Sequence, residues 1–237
     1  MKITIVGAGR AGSSFASALR HVGHVVNVVH HDEVSSIVET ALIVLCVPDD
    51  AIADVAASIP VREDRVVAHV AGSRTLDVLA PHPRVGSLHP LMALPSGSDA
   101  ERLLGATYCV AGDDLVREVA RSLGGRIITL RDDQRTIYHA AAVVASNHLV
   151  ALMGQVRALA ESIGLTLEDF MPLAQQTLVD VERFGPDDAL TGPASRGDMA
   201  TIDAHLAAMP ESERSTYVAL ANAAFELSEL RRSQTPA

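Results

Sequence analysis

The chain has 237 residues, 48% of them hydrophobic, with a formal net charge of −10 and two cysteines. That length suggests one or two domains with a large core. The acidic balance argues against nucleic acid, whose phosphates need a basic face, and Cys46 and Cys109, each inside an apolar run, lack metal-ligand spacing. No apolar run is expected to span a bilayer, and residues 2–6 already read as a strand, which leaves no room for a signal peptide and implies a cytoplasmic protein.

Lys2 is the only lysine in the chain. It opens the first strand, at the end away from the glycine turn. A lysine that forms a Schiff base or donates a proton beside a substrate is therefore close to excluded.

The first strand runs into GAGRAG, residues 7–12, and a helix follows from Ser13 to Val22. This strand–glycine–helix order is the context in which G-x-G-x-x-G holds a dinucleotide. Gly7 makes the tight turn, Gly9 lets a pyrophosphate approach the backbone, and Gly12 lets the helix pack on the strand. Arg10 and Ala11 lie between them, where the helix N-terminus offers free N–H groups and a positive dipole end.

Residues 24–30 read as the second strand. An acidic residue at its end would select the ribose hydroxyl of NAD, and an arginine would favour NADP. The chain has His30, His31 and Asp32 there, which leaves the choice open. Residues 33–40 hold one or two helical turns at most. The continuous apolar run 41–47 is typical of a strand covered on both faces. It ends at Val47 and Pro48, which complete the expected cofactor contacts. Asp49 or Asp50 then caps a helix over 51–59 or stands near the nicotinamide.

Residues 65–71 form the next strand, followed by Gly72 and Ser73. Residues 85–90 carry His89 before Pro90, and residues 91–101 read as a loop over the site. Strand and helix alternate to about residue 130, which predicts a doubly wound parallel sheet of the Rossmann type. An all-α second domain is expected over 131–237. It comprises one long helix over 132–164, a capping box at Thr166 and Asp169, a loop over 185–197, helices over 198–209 and 210–232, and a frayed tail. Alanine-rich faces predict an intrachain bundle, with part of that surface available to a second copy.

Four polar patches could carry chemistry: His89 with Pro90; Tyr138, His139 and Asn147 on the long helix; the stretch from Gly192 through Arg196 to Asp198; and Gly72 with Ser73. His139 and Asn147 lie eight apart on one helix, in an apolar segment where polar side chains are expected to face a core network or a cavity. Asp198 reads as a helix cap, and Arg196 either pairs with it or grips a substrate carboxylate. With lysine excluded, histidine is the proton donor that suits neutral pH, so His139 and then His89 are the candidates.

The order GAGRAG, VLCVPDDAI, HVAGS, GSLHPL, YHAAAVVASNHL and TGPASRGDMATIDAHL resembles the bacterial Rossmann-like and DUF2520 domain-containing proteins, over nearly the whole chain. The resemblance implies an oxidoreductase using NADP or NAD, with NADP favoured, that acts on a small carbonyl or imine substrate. It also implies a homodimer formed through the helical domain, in the manner of ketopantoate reductase, pyrroline-5-carboxylate reductase and 6-phosphogluconate dehydrogenase relatives. In hydroxyacid dehydrogenases and ketopantoate reductases the long helix carries a lysine four residues before an asparagine. Asn147 matches that asparagine, and Val143 occupies the lysine position. The resulting site set is His139, Asn147 and His89 for catalysis and Arg196 and Ser73 for the substrate, with no metal. A dinucleotide-binding sensor without turnover is the competing reading.

Overall fold

The computed structural model describes residues 1–37, 39–95 and 100–234. Within the expected segments, Val38, residues 96–99 of the loop over the site and the last three residues of the tail lie outside the described residues. The chain falls into two compact units, Met1–Ser146 and Asn147–Ala237.

The first unit is built on a seven-stranded sheet: β1 (Lys2–Val6), β2 (Val25–Val29), β3 (Leu42–Leu45), β4 (Val66–His69), β5 (Val85–Pro90), β6 (Thr107–Gly112) and β7 (Arg126–Ile128), in the order β2-β1-β3-β4-β5-β6-β7. The first five are mutually parallel. All four residues of β3 are buried, because alternate side chains enter two separate cores. Leu42 and Val44 pack with Phe15 and Leu19 of α1 (Arg10–His21) and with Val116 and Val119 of α3 (Asp114–Ser122). Ile43 and Leu45 pack with Ile52 and Val55 of α2 (Ile52–Ser58).

The sheet departs from the expected parallel arrangement at β6, which runs antiparallel to β5. A parallel crossover needs a dozen or more residues, usually with a helix. Among the described residues, the connection from Pro90 to Thr107 holds one short 3-10 turn, Ala100–Leu103, and the chain turns back instead. β7 then pairs parallel to β6. Arg84 grips Asp113 in a bidentate pair of 2.9 and 3.1 Å, and Asp113 also caps α3 through the N–H of Leu115. A second departure is local. Neither Asp49 nor Asp50 caps α2; its N-cap is Ala51, with no side-chain cap.

The expected long helix runs from Asp132 to Glu161 in three parts. After a 3-10 turn at Asp132–Gln134 come α4 (Arg135–Val143), a π turn at Val144–His148, and α5 (Leu149–Glu161). The Ser146 hydroxyl donates to the Ala142 carbonyl at 2.7 Å, competing with the backbone N–H for that oxygen, which is a recognised source of helix distortion. α4 belongs to the first unit and α5 to the second.

The second unit contains α5, α6 (Leu167–Ala189), α7 (Pro193–Arg196), α8 (Met199–Ala208) and α9 (Glu211–Gln234). The Thr166 N–H donates to the Asp169 carboxylate at 2.8 Å, forming the expected capping box. Asp198 caps α8 through the Thr201 N–H at 3.1 Å and hydroxyl at 2.7 Å. The loop expected over 185–197 is mostly helical: Gly185, at φ 78°, breaks α6, Pro186 restarts it, and α7 follows. Proline favours the first turn of a helix because its missing N–H would be unpaired there anyway.

One further expectation, that no apolar run could span a bilayer, is corrected. The 18-residue window of the Asp132–Glu161 helix has a mean hydropathy of 1.3 and is long and apolar enough to cross a membrane, yet none of that window is buried. Its apolar character comes from many small alanines and an absence of charge between Arg135 and Arg157, rather than from one block of large side chains. The helices of the second unit do pack on one another, α5 against α6 and α9 against α6 and α7, yet their alanine faces stay largely open. α6 buries no residue, α5 buries only Ala160, and Val150 and Leu173 are 71% and 68% exposed.

At the end of β4, His69 is fully buried. Its Nδ1 accepts the Ala71 N–H at 3.2 Å, and its Nε2 lies 3.3 Å from the Thr75 carbonyl, a pattern that suits the neutral Nε2–H tautomer. Burial, the largest influence, pushes its pKa down to about 4. Between about 6.5 and about 4 the unfolded chain therefore binds a proton that the folded chain does not, and the stabilisation present above pH 6.5 is lost as pH falls through this window. Urea unfolding from pH 7 to pH 4 should show a loss of about 3 kcal/mol attributable to His69, and His69→Asn should flatten that part of the pH dependence. An identical slope in the variant would show that His69 does not drive it.

Candidate functional site

The site is built at the edge of the sheet where the first five strands end. At β1 the chain turns through Gly7, whose φ of 104° is a left-handed value. The Gly7 N–H is tied to the Val29 carbonyl at 2.9 Å. A side-chain carbon at Gly7 would lie 2.5 Å from the Cys46 carbonyl oxygen and 3.4 Å from Val47, which packs beside the turn. One at Gly12 would lie 1.8 Å from the Gly7 carbonyl oxygen, so α1 can rest against the turn only because that side chain is missing. At Gly9 the situation is reversed: an added carbon would meet nothing within 4 Å.

Gly9 is the N-cap of α1, no side chain caps it, and the first turn holds no acidic residue. The amides at Arg10, Ala11 and Gly12 thus stand at an open, positive helix end, the arrangement that takes an anion. The residues fit a pyrophosphate: they present backbone donors, free space and no competing carboxylate. Arg10 is exposed and Ala11 half-buried. Beyond β2, His30 and His31 are exposed, and the His30 N–H donates to the Glu33 carboxylate at 3.1 Å. Pro48 is exposed just past β3.

A second group forms where β4, β5 and α4 meet. On β5, Ser87 and His89 are two apart and point to one face. On α4, Arg135, Tyr138 and His139 lie at spacings of three and four, which is also one face. The two faces interlock. Arg135, 1% exposed, donates from Nη2 to the Ser87 hydroxyl at 3.1 Å and from Nε to Asp132 at 3.1 Å. The Tyr138 hydroxyl is 2.8 Å from Nδ1 of His89, with the rings edge to face at 87°. His139 stands on the other side of His89, with ring centroids 6.2 Å apart. Both imidazoles pack over Gly72. Ser73 donates to the Asp49 carboxylate at 3.2 Å, so Asp49 points back across the sheet edge rather than capping α2.

These surroundings decide protonation. Burial, followed by the nearby His139, pushes His89 down to about 4, with Arg135 and His69 acting in the same direction and Asp49 opposing them. Burial pushes the Tyr138 hydroxyl up to about 12. Over the whole interval between these values the His89–Tyr138 pair is neutral on both sides, so it transmits hydrogen bonds without carrying charge. The Nδ1 atom of His139 is buried and, among the described residues, has no hydrogen-bond partner.

The sequence-predicted residues thus divide. His89, His139 and Ser73 share the first unit's sheet edge with the glycine turn. Asn147 and Arg196 belong to the second unit. Asn147 lies in the π turn and is exposed, contrary to the expectation for a polar residue in that apolar segment; Arg196 is exposed at the end of α7. Tyr138 stood in a polar patch of the sequence without a role of its own, and Arg135 and Ser87 were not singled out. The matching periods, three-to-four on the helix and two on the strand, were the available signal. Only the docking of α4 on β5 shows that they meet. Among the described residues no group of three or more His, Cys, Asp or Glu could hold a metal ion.

Residues 28–95 match the family described as Rossmann-like domain, and residues 107–224 match Domain of unknown function (DUF2520). No curated protein matches the chain in sequence. Among solved structures, a Bacteroides fragilis protein, provisionally assigned as an NADP oxidoreductase, is 20% identical; 95% of this chain covers 98% of that one, with a TM-score of 0.82. A reductive aminase from Aspergillus terreus, in complex with NADPH and ethyl levulinate, is 16% identical over 99% of both chains, with a TM-score of 0.69. Pyrroline carboxylate reductase from Plasmodium falciparum, with NADP bound, is 15% identical over 98% of both chains, with a TM-score of 0.61. At these identities the similarity establishes the fold. The chain carries a Rossmann-like domain followed by a DUF2520 domain, and it belongs to the proteins in which the two are joined.

Proposed function

We propose that this protein is an NAD(P)-dependent oxidoreductase that delivers hydride to a small carbonyl or imine compound. The observation that carries the reading is the uncapped, side-chain-free N-terminus of α1, on the same sheet edge as His89, Tyr138 and His139. The NADP-bound and NADPH-bound proteins of the same fold support it.

When bound, the reduced nicotinamide supplies the hydride. The chain supplies position and a proton. The amides around Gly9 hold the pyrophosphate, Val47 and Pro48 flank the bound dinucleotide, and His30 and His31 face the adenosine ribose, where a 2′-phosphate would give NADP its advantage. His139 donates the proton to the carbonyl oxygen or imine nitrogen. His89 stays neutral, receives the Tyr138 hydroxyl at Nδ1 and presents Nε2–H to the substrate. Ser73, held by Asp49, offers a further polar contact. Arg196 and Asn147 belong to the second unit and are given no part in this arrangement.

A non-catalytic dinucleotide sensor is favoured by one observation. Lys2, the only lysine, is held by Glu39 at 2.8 Å at the start of β1, away from the edge where the glycine turn lies. NADPH with a panel of 2-keto acids and cyclic imines separates the readings: oxidation of NADPH supports the enzyme, and tight binding without oxidation supports the sensor.

The protein is also proposed to act as a homodimer. Val150, Leu173 and Leu178 expose an apolar surface on α5 and α6 that a second copy of the same surface would cover. Insertion of the Asp132–Glu161 helix in a bilayer is disfavoured because Arg135, near its start, is buried against Ser87 of the sheet.

Fluorescence titration should show Gly9→Glu weakening NADPH binding by ~10-fold or more, with an unchanged circular-dichroism spectrum; equal affinity would remove the glycine turn as the pyrophosphate site. His139→Ala should retain NADPH binding and lose turnover by ~10²-fold or more, and unchanged turnover would take His139 out of the mechanism. Val150→Asp should convert a sedimenting dimer into a monomer. A wild-type protein that sediments as a monomer, or one that partitions into vesicles, contradicts the dimer.

A further inference from the structure

Just past β4 the backbone passes under two imidazoles. Gly72 is buried and its φ lies outside the left-handed region, so the backbone itself would accept alanine there. Space forbids it. An added carbon would lie 2.8 Å from Nδ1 of His139 and 2.9 Å from both Cε1 and Nε2 of His89, inside van der Waals contact. His89 cannot swing aside freely, because its Nδ1 is engaged by Tyr138 at 2.8 Å and its backbone is paired with Cys109 in the sheet. His139 is carried on α4, whose Arg135 is fastened to Ser87, so its ring can yield only by turning about its own side-chain bonds.

We infer that Gly72 is a positioning residue: its missing side chain lets His89 and His139 close over a single point of the sheet edge. The inference rests on the reading that these two imidazoles face the substrate. It adds that their spacing is set from below, by an atom that is not there, and that substrate turnover depends on this spacing. The groups facing His89 are Gly72 from the turn after β4, His69 on β4, Asp49 after β3, Cys109 on β6, and Arg135, Tyr138 and His139 on α4. A wedge at Gly72 would admit water to this enclosure, and the His89 titration would move upward from about 4.

The test is a cycle of wild type, Gly72→Ala, His139→Ala and the double variant. It is followed by thermal unfolding, by NMR titration of the His89 ring, and by turnover and binding of NADPH. Gly72→Ala should lower Tm, raise the His89 midpoint toward 6.5, and cut kcat by ~10²-fold, as about 1 Å of misplacement does, while leaving the Kd for NADPH unchanged. Its loss of Tm should be smaller when His139 is already alanine. If Gly72→Ala alone does not fold, recovery of the fold in the double variant gives the same answer. Equal losses in both backgrounds with an unmoved His89 midpoint, or a double variant that also fails to fold, overturn the inference. Tm and the His89 midpoint are read without turnover, so they decide the role of Gly72 even if the wild type reduces nothing, an outcome that would remove the functional reading alone.

Discussion

The first unit depends on one close approach, between the start of α1 and the turn that leaves β1. Gly12 lies so near the Gly7 carbonyl that no side chain fits between them. That contact aims the helix axis along the sheet and places its N-terminus beyond the end of β1. With α1 seated, Phe15 and Leu19 reach the core shared with β3 and α3. The same rotation leaves the first amides of the helix uncapped. Docking and the bare end therefore come from neighbouring positions of one turn: Gly12 lets the helix rest on Gly7, and Gly9, as N-cap, leaves the helix end without a side chain.

The polar cluster follows a related logic with side chains instead of gaps. A buried guanidinium is costly unless its donors are used. Arg135 uses one donor on Ser87, which fastens α4 to β5, and one on Asp132 at the start of its own helix, while its buried Nη1 has no partner among the described residues; Tyr138 and His139 are carried into place by helical spacing. Burial then suppresses charge on His89 and His69. Two imidazoles held neutral by burial, His69 and His89, thus lie at the sheet edge that also carries the bare helix end.

The second unit behaves differently. Its helices are well capped, at Thr166 and Asp198 for example, yet they bury few large side chains within the chain. Local helical signals are satisfied while the hydrophobic surface remains open. Exposed apolar side chains such as Val150 and Leu173 are where the proposed second copy would dock.

What the linear chain determined was whatever depends on neighbours in sequence. The three glycines between a strand and a helix announced the turn. The apolar run 41–47 announced a strand buried on both faces, and the capping residues announced helix starts. The Rossmann class and the all-α second half were legible for the same reason: period and punctuation are local properties. Tertiary structure alone decided the reversal at β6, because strand direction depends on how a connection closes in space. It also decided that Asp49 meets Ser73 instead of capping α2, and that Tyr138 meets His89 across 49 positions of sequence. The exposure of the alanine-rich helices belongs in the same group. Small-residue faces look alike whether they pack within one chain or wait for another, and only the positions of the surrounding helices distinguish the two.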